Sequence, residues 1–397
     1  MRTRRSFLAS AGTAGAAAAL AGAPAQAAGP RANTTTVPFH GEHQAGIATP
    51  TSEHIQFATL DFATDAASDL RAVMLELSGA AARLMAGRPV GALETGIQPP
   101  VDTGEAVGLG PGRLTVTFGL GPAVFRRGRF GLEHLRPAPL VALPSFETDA
   151  LDPRLCGGDL AIQVCGEDPQ VVFHAVHNLI RLAGPAAVPR WSLAGFGPTR
   201  NSRGIATPRN LLGFKEGTAN IVAEDPRALE RFVWAGAPES LPWMHGGSYM
   251  VVRRIKLLLG AWDQIGLDQQ ERTFGRHKLS GAPLGAEQEF APLDLERRAI
   301  PGDAHVRLAS PDYNHGQRLL RRGYSYTDGI DHAEGSASGG QLFICFNRDP
   351  RRQFIPIQRR LAAGDALGAV TEHVGSAVFA CPPGPPTGGY VGRTLLG

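Results

Sequence analysis

The first half of the chain changes between strand-like and helix-like patterns of apolar residues. Apolar and polar residues alternate over residues 54–62, which predicts a β-strand, whereas apolar positions three, four or seven apart over residues 65–85 predict a helix. The other elements predicted in this half are two strands, a helix and a strand, at residues 114–118, 159–165, 169–182 and 191–195. The predicted order is therefore β-α-β-β-α-β.

The second half repeats this order. Its predicted elements are a strand, a helix, two strands, a helix and a strand, at residues 247–259, 261–273, 318–326, 341–346, 350–363 and 376–381. An Asp-Pro pair begins the second helix of each half, at Asp168 and Asp349, because Asp can cap a helix and Pro suits its first position. Two successive β-α-β-β-α-β units predict an α+β fold with two ferredoxin-like domains, each an antiparallel sheet with helices on one face.

The N-terminus has the pattern of an export signal. Arg4 and Arg5 precede a short alanine-rich apolar run, and Ala25-Gln26-Ala27 forms a cleavage site. We therefore expect residues 1–27 to direct the folded chain through the twin-arginine export machinery, to a secreted, periplasmic or cell-envelope location. The expected divisions of the remaining chain are a flexible arm at 28–50, an N-terminal domain at 51–200 and a C-terminal domain at 201–397.

Composition narrows the classes of function. The 397 residues carry a formal charge of +3 with no long basic stripe, which argues against a nucleic-acid partner. The apolar run of the leader is too short and too weakly hydrophobic for a membrane anchor, and no later segment is apolar enough to insert stably. The four cysteines form no C-x-x-C or C-x-x-C-H motif, which argues against a zinc ribbon and against covalently attached haem.

Three features in the second half carry candidate chemistry. Glu216 lies between Gly213 and Gly217 on a predicted turn, where a ligand could approach the main chain. His305 lies in the long 274–317 insertion, and insertions of that length in compact domains are usually functional. Adjacent arginines at 321 and 322 follow in an apolar, aromatic strand, where a cation is costly unless it faces an anion or a polar cavity. A histidine, an acid and an arginine are the side chains that a haem peroxidase needs.

The chain resembles the dye-decolorizing (DyP-type) peroxidases, and within them the exported bacterial class that includes deferrochelatase-like proteins. The resemblance is carried by Gly-Phe-Lys-Glu-Gly-Thr-Ala-Asn at 213–220, Asp-Ala-His-Val-Arg at 303–307 and Leu-Arg-Arg-Gly-Tyr-Ser-Tyr at 320–326. Further matching stretches lie at 157–165, 341–346 and 348–361. Together they span most of the mature chain in the family's order. The family's fold of two ferredoxin-like domains agrees with the repeat.

The resemblance implies the roles of individual residues. His305 corresponds to the haem ligand, Arg321 (rather than Arg322) to the arginine on the other side of the haem, and Glu216 to the family's distal acid. Gly217 and Thr218 of the same loop are expected to contact the cofactor, which would be one non-covalent haem b per chain. The family normally has Asp where this chain has Glu216, and the added methylene lets the acid either reach farther over the iron or fold aside.

The resemblance implies a peroxidase that reduces hydrogen peroxide and oxidises aromatic donors or dyes in one-electron steps. The alternative is a deferrochelatase-like protein that binds haem and releases its iron in an iron-uptake system. Buried haem would need aromatic residues near the surface to relay electrons, and the candidates are Tyr249, Tyr324, Tyr326, Trp243 and Trp262, for which packing is the competing interpretation. The physiological reductant, the oligomeric state and the acidic partner of His305 stay open.

Overall fold

The computed structural model describes residues 34–94, 96–197, 207–238, 240–296 and 298–397, so the predicted leader lies outside the described residues. Within them, nine β-strands form one antiparallel sheet: β1 (His54–Phe62), β2 (Thr115–Leu120), β3 (Leu160–Gly166), β4 (Ala187–Phe196), β5 (Ser248–Leu257), β6 (Leu320–Arg321), β7 (Tyr324–Asp331), β8 (Ser336–Asn347) and β9 (Thr371–Cys381). The strand order is β5-β9-β2-β3-β1-β4-β7-β8-β6, and the edge strand β5 also pairs with β8. This last pairing closes the sheet on itself. The prediction of an antiparallel α+β fold is confirmed.

The first half contributes four strands and two long helices. They are β1 (His54–Phe62), α1 (Ala67–Met85), β2 (Thr115–Leu120), β3 (Leu160–Gly166), α2 (Pro169–Ala183) and β4 (Ala187–Phe196). The order β-α-β-β-α-β is the predicted one, with β1 paired to both β3 and β4. Asp168 caps α2 as predicted, because its side chain accepts from the backbone N–H groups of Gln170 and Val171.

The second half contributes five strands and six shorter helices. They are α3 (Pro226–Phe232), β5 (Ser248–Leu257), α4 (Leu259–Asp263), α5 (Leu267–Phe274), α6 (His305–Ala309), β6 (Leu320–Arg321), β7 (Tyr324–Asp331), β8 (Ser336–Asn347), α7 (Phe354–Gly364), β9 (Thr371–Cys381) and α8 (Arg393–Leu396). The helix predicted at 261–273 is two helices, and the strand predicted at 318–326 divides into β6 and β7. The Asp349-Pro350 pair does not cap α7, which begins at Phe354; Asp349 accepts instead from the N–H of Arg351 in the preceding turn.

Two short contacts between strands join the halves into the closed sheet. Leu120 of β2 pairs with Ala380 of β9, and Phe196 of β4 pairs with Ser325 of β7. Apolar side chains from both halves fill the space between these joins, where the rings of Phe57 and Phe379 lie 6.2 Å apart. On the other face of the first half, α1 and α2 cover β1 and β3 with a second apolar cluster. Burial on both faces stabilises the sheet and gives the second half a rigid support.

Residues 34–50, the described part of the segment expected to be a flexible arm, contact the rest of the chain through buried and hydrogen-bonded side chains. This segment has no helix or strand, yet Phe39 and Ile47 are buried in the two apolar clusters. The Gln44 side chain donates to the carbonyls of Phe118 and Pro382 and accepts from the N–H of Phe118. A Gly- and Pro-rich segment without periodicity can still be fixed when its side chains bury and bond. Within the described residues, no helix combines the length and the apolar character needed to cross a membrane.

Candidate active site

A cavity in the second half brings the predicted site residues together. Its volume is about 260 Å³, and its wall includes His305, Glu216, Gly217, Thr218 and Arg321. Apolar side chains such as Phe274 and Phe343 form much of the remaining wall. Residues that lie up to 105 positions apart in the sequence therefore share one cavity.

His305 begins helix α6 and is held by a carboxylate that the sequence did not identify. Its Nδ1 lies 2.6 Å from Oδ2 of Asp365, which comes directly after α7 and has a side chain that is only 7% exposed. Asp365 is itself fixed, since its N–H donates to the carbonyl of Leu361 and its Oδ1 accepts from the N–H of Leu367. If Nδ1 carries the proton that the carboxylate accepts, Nε2 keeps its lone pair for a metal ion.

The surroundings of His305 also shift its pKa. Burial lowers the pKa of His305, but the charge and the hydrogen bond of Asp365 more than offset this, so that the net pKa is raised. A carboxylate on Nδ1 makes the imidazole a more basic ligand. Phe274 lies against the ring in an edge-on arrangement, with the ring centroids 6.2 Å apart. The structure thus places an oriented, electron-rich imidazole on the cavity wall.

Arg321 reaches the cavity from β6, and the neighbouring arginine does not. Its backbone is fixed by Asn220, whose side chain accepts from the Arg321 N–H at 2.9 Å and donates to its carbonyl at 2.7 Å. Successive strand residues point to opposite sides, and Arg322 donates to the carbonyls of Thr49 and Pro50 instead. Burial lowers the pKa of Arg321, while the nearby Glu216 raises it. Across the described part of the chain, no group accepts a hydrogen bond from the guanidinium of the partly buried Arg321, so this cation is available to an anion.

Glu216 is held by its backbone and by its carboxylate. Its N–H donates to the carbonyl of Pro208 at 2.9 Å, and the next residue, Gly217, has a φ of 104°, which favours glycine. The Gln341 side chain on β8 donates its amide N–H to Oε1 of Glu216. Gly323 leaves room for this pair, because a Cβ there would lie 2.7 Å from Nε2 of Gln341 and 3.1 Å from Oε1 of Glu216. The longer acid is therefore accommodated and anchored.

A second cavity meets the first at these side chains. Its volume is about 500 Å³, and it shares Glu216, Arg321 and Gln341 with the first cavity. Its other walls include residues 47–51 and 322–325. A small reactant in the second cavity would therefore reach the acid and the arginine from the side away from the 274–317 insertion.

The residues present fit a haem. Nε2 of His305 forms no hydrogen bond within the described residues, which leaves a ligand position for iron. The mostly apolar wall suits a porphyrin, and the cavity is also lined by Arg276 and Arg318, whose guanidinium groups suit its propionates. Burial lowers the pKa of Arg276, which donates to the carbonyls of Gly281 and Glu289. These features support the expected haem position on chemical grounds.

The aromatic residues proposed as electron relays are all buried. Their exposed fractions are at most 5%, and all five belong to the apolar clusters of the core: Tyr249, Tyr324, Tyr326, Trp243 and Trp262. None of them is a surface residue, so a donor cannot contact them directly. Packing, the competing interpretation, accounts for their burial.

Comparison with known proteins gives matches along nearly the whole chain. A family model described as Dyp-type peroxidase, N-terminal, matches residues 44–197, and one described as Dyp-type peroxidase, C-terminal, matches residues 207–385. A dye-decolorizing peroxidase of Thermobifida fusca (strain YX) is 40% identical over 381 residues, or 92% of this chain and 85% of that protein. A deferrochelatase of Escherichia coli (strain K12) is 35% identical over 378 residues, or 92% of this chain and 89% of that protein.

Solved structures give the same result. Ferric DtpA from Streptomyces lividans superposes with a TM-score of 0.83 at 39% identity, over 91% of this chain and 97% of that one. A DyP-type peroxidase from Streptomyces coelicolor superposes with a TM-score of 0.84 at 39% identity, over 91% and 97%. A variant of DypB from Rhodococcus jostii in complex with heme has a TM-score of 0.62 at 22% identity, a likeness that shows the fold alone.

Proposed function

The chain belongs to the Dyp-type peroxidase family, and we propose that in this chain His305 ligates the haem iron while Glu216 and Arg321 act on hydrogen peroxide. The protein is a haem peroxidase, as its dye-decolorizing relatives are. It reduces hydrogen peroxide to water with electrons from a reducing substrate. The observation that carries the assignment of roles is the single cavity wall that contains an oriented histidine, an anchored carboxylate and a guanidinium without a hydrogen-bond acceptor in the described residues.

The haem would supply a redox-active iron for the reduction of hydrogen peroxide. His305 would hold it through Nε2, with Asp365 fixing the ring orientation through Nδ1. Arg276 and Arg318 would neutralise the propionates, because a guanidinium matches a carboxylate in shape and charge. Gly217 and Thr218 would contact the cofactor through the loop that carries Glu216.

Glu216 transfers the proton in the proposed reaction. Its ionised carboxylate takes a proton from one peroxide oxygen and returns it to the other, so that the leaving oxygen departs as water rather than hydroxide. Gln341 donates to the ionised form and keeps the carboxylate in one orientation. Arg321 stays charged and stabilises the negative charge that develops as the O–O bond breaks. Each peroxide then requires two electrons, which two donor molecules supply one at a time.

We also propose the finer features that the sequence predicts. The strand orders β4-β1-β3-β2 and β9-β5-β8-β7 are each ferredoxin-like, which supports two ferredoxin-like domains that divide near residue 200. Residues 1–27 would direct twin-arginine export to a secreted, periplasmic or envelope location. The donors are aromatic molecules or dyes. The alternative activity, iron release from haem, is favoured by the similarity to the deferrochelatase.

One experiment on the purified protein distinguishes peroxidase activity from iron release. The haem-loaded protein is mixed with hydrogen peroxide and a phenolic donor, and donor oxidation is recorded beside the fluorescence of metal-free porphyrin. A peroxidase oxidises the donor and keeps its iron, whereas an iron-releasing protein accumulates the fluorescent porphyrin. The variant His305→Ala should lose the Soret band, and His315→Ala is its matched control in a nearby turn. A Soret band that survives His305→Ala unchanged would overturn the ligand assignment.

A further inference from the structure

Glu289 connects the 274–317 insertion to the loop that carries Glu216. Its Oε1 accepts a hydrogen bond from Oγ1 of Thr218 at 3.0 Å and another from Thr207, and its Oε2 forms an ion pair with Lys215. Lys215 is the residue before Glu216, and Thr218 is two residues after it. One carboxylate thus bonds to the chain on both sides of the distal acid.

The carboxylate of Glu289 is well shielded and charged. Its side chain is only 9% exposed. Burial raises the pKa of Glu289, but hydrogen bonds from Lys215, Thr207 and Thr218 more than offset this, so that the net pKa is lowered. Charge-assisted hydrogen bonds of this kind are about twice as strong as neutral ones. The contact therefore resists opening at neutral pH.

Two arginine side chains also hold the insertion together and connect it to the loop that carries Glu216. Arg276 donates to the carbonyl of Glu289 at 3.0 Å and to that of Gly281 at 2.6 Å. Arg209 donates to the carbonyls of Gly213 and Leu279, both at 2.7 Å. Residues 276–289 and 207–218 are therefore fixed to each other at several points, and the same insertion continues to His305.

We propose that Glu289 is a positioning residue for proton transfer: it fixes the backbone on both sides of Glu216 so that the acid stays within reach of peroxide. This rests on the proposed role of Glu216 as the acid and base. A general acid or base must lie within about 3 Å of the proton that it moves, and a misplacement of about 1 Å can cost roughly 100-fold in rate. Glu289 itself contacts neither the reactant nor the cofactor in this account.

The test uses four single variants of the full-length, haem-loaded protein. Glu289→Ala removes every contact of the side chain, and Glu289→Gln restores the acceptor for the threonines without the charge. Glu287→Gln is the matched control, because Glu287 is exposed and forms no ion pair within the described residues. Glu216→Gln reports on the proposed function. Hydrogen exchange of residues 207–218, the second-order rate with peroxide and the KM for a phenolic donor are measured for each variant.

We expect Glu289→Ala to lose hydrogen-exchange protection in residues 207–218 alone and to react with peroxide about tenfold more slowly. This loss is smaller than the roughly 100-fold or more that a whole acid–base group contributes. Glu289→Gln should recover part of both effects, and the donor KM and the Soret band should not change. If Glu289→Ala leaves the peroxide rate unchanged while Glu216→Gln lowers it, only the positioning role is overturned. If Glu216→Gln also leaves the rate unchanged, the proposed function of Glu216 fails first.

Discussion

Replacing Asp365 by Asn should weaken haem binding without unfolding the protein. The substitution removes the charge that lies 2.6 Å from Nδ1 of His305, yet Asn keeps an oxygen that can accept from the N–H of Leu367. Loss of such an outer partner costs about 10- to 100-fold in metal affinity, which corresponds to about 1.4–2.8 kcal/mol. We place the variant toward the larger loss, because the side chain of Asp365 is shielded from solvent and water cannot easily replace it. The reduction potential of the iron should also rise, since the imidazole becomes a weaker electron donor.

The assay is haem transfer from the loaded protein to an excess of a haem-scavenging globin, followed through the Soret band. Asp303→Asn is the matched control, because Asp303 is exposed and lies two residues before His305. We expect haem loss to be faster in Asp365→Asn and unchanged in Asp303→Asn, with equal unfolding midpoints in the haem-free proteins. Equal haem retention and an unchanged potential in Asp365→Asn would refute the argument that this carboxylate tunes His305.

Three further predictions concern the acid, the core and a helix end. Gln341→Leu removes the donor that orients the Glu216 carboxylate and should slow the peroxide reaction by about tenfold; stopped-flow mixing measures the rate, and an unchanged rate would exclude the contact from the mechanism. Burial is the main cause, and the charge of Arg253 the second, of the low pKa of His373, which is about 3. The contribution of neutral His373 to the free energy of unfolding is therefore complete above the ordinary pKa of histidine. It is lost as the pH falls toward 3, by up to about 1.4 kcal/mol per pH unit. Urea unfolding as a function of pH should show a shallower acid decline in His373→Gln, and equal slopes would contradict this. Asp168→Ala should lower the free energy of unfolding by about 1 kcal/mol through loss of the cap of α2, and no change in urea midpoint would count against it.

Local patterns predicted the elements that depend on local causes. The β1 strand at His54–Phe62 has the predicted bounds, and α2 begins at the predicted Asp-Pro pair. The same pair at Asp349 gave the wrong helix start, because its side chain pairs with Arg351 in a turn and α7 begins four residues later. A capping motif fixes local hydrogen bonds, and tertiary packing decides whether a helix follows them.

The sequence did not predict which distant segments contact each other. His305, Glu216 and Arg321 could be proposed as site residues because each lies in a recognisable motif. Asp365 lies outside the matching stretches, and the stretch that begins at Gln341 gives no sign of its contact with Glu216; the two residues lie 60 and 125 positions from their partners. Only the closed sheet brings β8 and the end of α7 to the cavity. The fixed course of residues 34–50 has the same origin, since its anchors are carbonyls of other segments.

The central claim is that Glu216 and Arg321 together activate peroxide at a haem held by His305. Its most direct test is the second-order rate of the haem-loaded protein with hydrogen peroxide, measured for the wild type, Glu216→Gln and Arg321→Leu at equal haem content. The account predicts a fall of roughly 100-fold or more for each variant, because each loses one complete catalytic contribution. If both variants react with peroxide at rates within about twofold of the wild-type rate, the claim is contradicted.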